Sequence, residues 1–141
     1  RSRFFLSLLL LVSLSVLNGQ TYPNPYRAVD GWAKLPDGRQ MGRIVDEQDD
    51  HDGVHIWTIN RCDASAPGRF GNECLDSNLD CILKFDADGN VVESFGGGMF
   101  IWPHGLFVDE DSNVWVTDAV RPDRTPEGTR GHIVVEFSPE G

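Results

Sequence analysis

The chain is poor in basic residues and nowhere gathers them: Lys and Arg total 12 against 22 Asp and Glu in 141 residues, a formal net charge of -10. Neutralising phosphate needs a basic face, so a nucleic-acid partner is excluded, and an anionic membrane surface with it. Long apolar runs are also missing. The longest, Phe4 to Leu17, has 14 residues broken only by Ser7, Ser13 and Ser15, short of the roughly 20 that cross a bilayer. No segment after it keeps a 3.6-residue apolar period, so no helix is expected. No Gly-x-Ser-x-Gly elbow, Walker loop or dinucleotide fingerprint occurs, and Phe95-Gly96-Gly97-Gly98-Met99 follows a strand pattern without opening a helix. Cysteine is scarce: Cys62, Cys74 and Cys81 are separated by eleven and then six residues, spacings that match no zinc-ligand template.

What remains is a globular composition, 40% hydrophobic and 24% charged with Gly 15 and Pro 8, which bounds the chain to one domain of short strands and turns and argues against disorder. Arg1 and Arg3 ahead of the apolar run read as a secretory signal over residues 1–19, cut near Asn18-Gly19-Gln20. Its removal takes away two arginines and no acid, leaving 10 basic against 22 acidic residues. The expected location is secreted, extracellular or periplasmic, with no membrane association after cleavage. There a disulfide is the default for two nearby cysteines, and Cys62 with Cys74 is favoured. The start at Arg1 and the stop within Ser138-Pro139-Glu140-Gly141 lead to the expectation of a fragment of a longer reading frame.

Residues 20–42, with Tyr22-Pro23-Asn24-Pro25-Tyr26, read as an irregular lead-in. From 43 to 141 β-rich runs alternate with Asp, Asn and Gly turns: Ile44-Val45, His55 to Ile59, Ile82 to Phe85, Val91 to Phe95, Leu106 to Val108, Val114 to Thr117 and Ile133 to Phe137. The fold class is therefore all-β. The runs also repeat. Ile82-Leu83-Lys84-Phe85-Asp86-Ala87-Asp88-Gly89 aligns with Val134-Val135-Glu136-Phe137-Ser138-Pro139-Glu140-Gly141, an offset of 52, and Ile44-Val45-Asp46 before Ile56-Trp57-Thr58 aligns with Phe107-Val108-Asp109 before Trp115-Val116-Thr117. Four short strands per roughly 40–50 residues mark a propeller blade. One blade is expected over about 42–96 and a second, lacking its last strand, over 103–141, in a ring that two blades cannot close.

The acidic strings Asp49-Asp50-His51-Asp52-Gly53, Asp86-Ala87-Asp88-Gly89 and Asp109-Glu110-Asp111-Ser112-Asn113 look at first like calcium loops. Counting twelve from Asp86, however, puts Gly97 where an EF-hand needs a bidentate Glu, and hairpin turns are the better reading. His104 sits in Ile101-Trp102-Pro103-His104-Gly105-Leu106, where a blade begins and where propeller residues face the central channel. A lone His is more often structural than a ligand, and His51, His55 and His132 offer no route to the same point. Arg61 ends a strand in Asn60-Arg61-Cys62-Asp63, placed either to take a substrate carboxylate or to pair with Asp63 or Asp80.

The stretch Phe100-Ile101-Trp102-Pro103-His104-Gly105-Leu106-Phe107-Val108-Asp109, running into Asn113-Val114-Trp115-Val116-Thr117-Asp118, resembles the NHL-type blades of peptidyl-α-hydroxyglycine α-amidating lyase. The likeness covers about residues 42–141, some two blades of a six-bladed ring. It implies that His104 is one of three histidine ligands to a channel zinc and that the Leu106 carbonyl binds a structural calcium, with a second carbonyl near Arg43. It also implies that Arg61 is the catalytic arginine, anchoring the carboxylate of a small peptidyl-α-hydroxyglycine substrate. The family string His-Arg-Gly-Asp reads here Asn60-Arg61-Cys62-Asp63, so Cys replaces Gly. Two further histidines and a tyrosine base would lie outside this chain. The implied activity is release of a peptide amide and glyoxylate. The competing readings are a non-catalytic NHL propeller that binds protein or glycan, and a calcium-dependent lactonase-type hydrolase, which would need channel carboxylates.

Overall fold

The computed structural model describes residues 23–62, 73–121, 123, 125 and 131–141; among them, regular structure is mainly strand, with a 3-10 turn at Pro36–Gly38. The expected signal segment and Asp63 lie outside the described residues. Seven strands follow: β1 (Ile44–Asp49), β2 (Ile56–Asn60), β3 (Ile82–Phe85), β4 (Val91–Phe95), β5 (Pro103–Val108), β6 (Val114–Asp118) and β7 (Val134–Phe137). β1 to β4 form one four-stranded sheet in chain order and β5 to β7 a three-stranded one. All neighbours are antiparallel. The described chain is all-β, and each sheet is the simple meander that a propeller blade also has.

The acidic strings are turns that spend their carboxylates on their own backbone. Asp86 Oδ1 accepts the N–H groups of Asp88 at 3.0 Å and Asn90 at 2.8 Å, and Asp109 Oδ1 those of Asp111 at 3.0 Å and Asn113 at 2.9 Å. The 52-residue offset holds in three dimensions: Gly89 N–H closes on the Asp86 carbonyl as Gly141 N–H closes on that of Ser138. At Gly89, φ is +80° and an added Cβ would lie 1.9 Å from the Trp32 carbonyl, so only glycine fits.

The repeat is phased differently at its first strand. β1 continues to Asp49, and the structural counterpart of Asp109 is Asp50: each accepts its sheet's Trp indole N–H, Asp50 from Trp57 at 2.8 Å and Asp109 from Trp115 at 2.9 Å. Asp46 is a strand residue instead. Its carboxylate leaves the first sheet and accepts the Leu106 N–H at 2.7 Å, while Gln48 accepts the Val108 N–H at 2.8 Å and donates to the Val108 carbonyl at 3.2 Å. Residues i and i+2 of a strand share a face, so this alternate pair clasps β5 from one side.

Between the sheets lies the core, where Trp57, Ile59 and Ile82 meet Val108, Val114, Val116 and Phe137. The Phe137 ring lies tilted against Phe95 with centroids 4.9 Å apart, and Phe95 contacts Trp57 at 5.5 Å, pairs that contribute about 0.5–1.5 kcal/mol each beyond area burial. The lead-in is anchored on the first sheet. Trp32 packs on Phe85, its indole donates to the Ala87 carbonyl, and Lys34 bridges Asn90.

Gln48→Ala leaves both backbone groups of the buried Val108 without their partners, and the expected loss is about 1–3 kcal/mol, read as a lower urea midpoint at unchanged m-value. For Asp50, burial works to raise the carboxyl pKa, but hydrogen bonds from Lys84, the Asp52 N–H and Trp57 outweigh it and hold the group below its ordinary value. That stabilisation is present above the ordinary carboxylate range and is lost as pH falls through the depressed folded value. Asp50→Asn should therefore flatten the acid limb of a stability-against-pH curve while leaving its neutral slope unchanged.

Candidate functional site

Arg61 follows directly on β2 and its backbone is fixed by the opposing lead into β1. Its N–H donates to the Arg43 carbonyl at 3.0 Å. Gly42 permits this approach, since a Cβ there would stand 2.5 Å from Asn60 Oδ1 and 2.6 Å from the Arg61 carbonyl. From this point the side chain crosses to the second sheet. Its Nε–H donates to the Pro103 carbonyl at 3.0 Å, and the guanidinium lies 5.0 Å over the Trp102 ring. The residue is only 6% exposed. Burial pulls its pKa down and the charge of Glu73 opposes the pull, but a guanidinium stays a cation.

The segment that receives Arg61 is set by one carboxylate. Asp118 Oδ2 accepts the N–H groups of Ile101 at 2.6 Å and Trp102 at 3.1 Å, while Oδ1 accepts that of Val120 at 2.8 Å. β5 then opens on Pro103, three residues earlier than the sequence run suggests, because a proline at the first strand position has no N–H to leave unpaired. The register shifts between Pro103 and Leu106, so one extra residue bulges there. The bulge turns His104 outward to an exposed position beside buried Pro103. Its ring meets Trp102 edge-on, with centroids 5.8 Å apart.

Arg61 and His104 are thus brought together through Trp102 and Pro103, although they belong to different sheets. Of the ion pairs expected for Arg61, that with Asp80 does not form. The Asp80 carboxylate takes Ser94 Oγ and the Gly97 N–H, and its carbonyl takes Arg39. The acidic neighbour is instead Glu73, whose Oε1 is 3.8 Å from Arg61 Nη1 and 2.7 Å from Arg43 Nη1. Glu73, Trp102 and Asp118 are the site residues that sequence reasoning missed; only the indole next to Pro-His-Gly carried a usable signal. His55 pairs with Asp52. Among the described residues no group of three or more His, Cys, Asp or Glu converges to hold a metal ion. His104 offers one nitrogen, and the Leu106 N–H is turned to Asp46.

Cys62 and Cys74 form a disulfide with Cα atoms 5.5 Å apart, as the spacing and the expected oxidising compartment suggested. Cys62 has φ +57°, the left-handed region that favours glycine. Cys62 thus adopts a backbone conformation suited to glycine at the position where the resembled string has Gly. Cys81 is a buried free thiol whose pKa burial pushes up to about 12.

With this geometry in place, known proteins offer a comparison. No family model matches the chain. Its similarity is to amidating enzymes. The peptidylglycine alpha-amidating monooxygenase of Rattus norvegicus is 32% identical over 87 residues, 57% of this chain and 9% of that protein. Protein A of the same name from Xenopus laevis is 28% identical over 85 residues, 57% of this chain and 9% of that protein. A Caenorhabditis elegans protein described as a "probable peptidyl-alpha-hydroxyglycine alpha-amidating lyase" is 39% identical over 41 residues, 29% of this chain and 12% of that protein. The chain thus spans about a tenth of the length of these relatives, and the likeness is distant and lyase-like.

Thiol alkylation checks the cysteine assignment. The native protein should take up no label, the protein unfolded without reductant one label per chain, and the protein unfolded with reductant all three.

Proposed function

We propose that this chain forms two blades of a six-bladed, secreted NHL-type propeller that acts as a peptidyl-α-hydroxyglycine lyase. The observation that carries this reading is that Arg61 and His104, two residues that the lyase resemblance singles out and that sit 43 positions apart in the sequence, both contact the Trp102 ring. The distant similarity to amidating enzymes points the same way.

In the proposed reaction the bond between the amide nitrogen and the α-carbon breaks. The hydroxyl O–H electrons form the aldehyde carbonyl, and the nitrogen leaves protonated as a primary amide, so the products are a peptide amide and glyoxylate. Arg61 anchors the substrate carboxylate through paired N–H donors. Its burial against the Trp102 face strengthens that contact by excluding water. His104 would hold one position on a zinc ion, which would supply a Lewis acid for the hydroxyl. The Leu106 carbonyl would contribute to a calcium site. It lies on the same strand edge as its own N–H, which faces Asp46 and not β6, and oxygen donors of this kind suit calcium.

The test is glyoxylate release from a peptidyl-α-hydroxyglycine by the full-length natural protein, with and without a chelator. Release that stops on chelation and returns with zinc is the expected result. His104→Ala should lower kcat/KM by at least about a hundredfold, and Arg61→Lys should raise KM by about tenfold with a smaller effect on kcat. A folded protein that releases no glyoxylate overturns the lyase reading, and the non-catalytic binding propeller replaces it.

A further inference from the structure

The resemblance assigns no role to Glu73, yet among the described residues this is the carboxylate in ion-pair range of the buried Arg61. Its side chain is 9% exposed, and at 3.8 Å from Arg61 Nη1 it stands beyond hydrogen-bond reach. A short contact goes to Arg43, whose side chain is 60% exposed. Glu73 therefore balances the Arg61 charge without consuming the donors that would meet an incoming carboxylate. A carboxylate bonded directly to Arg61 would compete with the substrate; one held off by Arg43 does not.

What places Glu73 there is covalent. It precedes Cys74, which is bonded to Cys62, and Cys62 directly follows Arg61. The same Cys74 donates its N–H to the Ile101 carbonyl at 3.0 Å, one residue from the Trp102 ring under the guanidinium. Where the resembled family has a glycine, this chain has a left-handed cysteine at φ +57°. The cysteine thus tethers the anchor strand to the loop carrying its counter-charge.

From this arrangement we infer that Glu73 is a positioning residue for Arg61, delivered by the Cys62–Cys74 bond. The inference rests on the reading of Arg61 as the carboxylate anchor.

Two variants of the full-length protein test it. Glu73→Gln removes the charge and keeps the shape. Cys62→Gly with Cys74→Ser cuts the tether while placing glycine at the positive φ. The expected result is that each raises KM for the peptidyl-α-hydroxyglycine about tenfold, the order that removal of a partly buried charge partner produces, with kcat within about twofold. Glu73→Asp should recover part of the loss, and Glu73→Gln should add nothing in the untethered background. An unchanged KM overturns the inference, as does an undiminished effect of Glu73→Gln once the tether is cut.

A second readout is independent of turnover. A double-mutant cycle in thermal unfolding, using Glu73→Gln and Arg61→Met, should show coupling in the tethered protein and none in the untethered one. If the wild type releases no glyoxylate, the lyase reading fails alone, and this cycle still decides the tether. Absence of coupling in the tethered protein overturns it.

Discussion

Arg61 is a cation in a place where a cation is expensive. Desolvating a guanidinium opposes folding by several kcal/mol unless hydrogen bonds and counter-charge return the loss. Two separate stretches supply that return: Trp102-Pro103, with its ring face and the carbonyl at the start of β5, and Glu73 from the far side of the disulfide. Because these groups lie on the second sheet and on the tethered loop, stabilising the charge also fixes where both sit relative to the end of β2. The two sheets are also joined by Asp46 and Gln48 on the β5 backbone and by Phe137 against Phe95. A charged and a hydrogen-bonded junction thus accompany the apolar core.

The same arrangement means that a structural and a recognition role coincide in one side chain. The Arg61 guanidinium is oriented by its Nε and by the indole, which leaves its outer nitrogens under the influence of a carboxylate that is near and yet not bonded. Preorganisation of this kind lowers the cost of binding, because the side chain need not be ordered when a ligand arrives.

The strands were legible in the sequence wherever β-branched and aromatic residues ran between Asp and Gly turns; β3 and β4 begin and end where those runs do. Legibility failed at two kinds of position. Asp46 and Gln48 look like turn residues by type, since composition cannot distinguish a carboxylate that caps a turn from one that reaches a neighbouring sheet. Pro103 looks like a breaker, although a strand may begin with it at no hydrogen-bond cost. In the site, Arg61 and His104 stood out through the motif around them, and the Cys62 pairing followed from compartment and spacing. Glu73 and Asp118 did not stand out, because their roles depend on approaches between distant stretches that no local pattern records.

The clasp between the sheets is one-sided. β1 contributes side chains, while β5 contributes only N–H and C=O groups that any residue would bring. Counting back from the equivalent turn residues Asp50 and Asp109, the places of Asp46 and Gln48 are taken in β5 by Gly105 and Phe107, and Phe107 is 57% exposed. A strand docking on β5 would meet a bare backbone and an aromatic ring where β5 itself meets a carboxylate and an amide. The two first strands therefore differ at the positions that make the clasp, and the contact between these two sheets is carried by side chains of one of them, independently of the strand ladders that build each sheet.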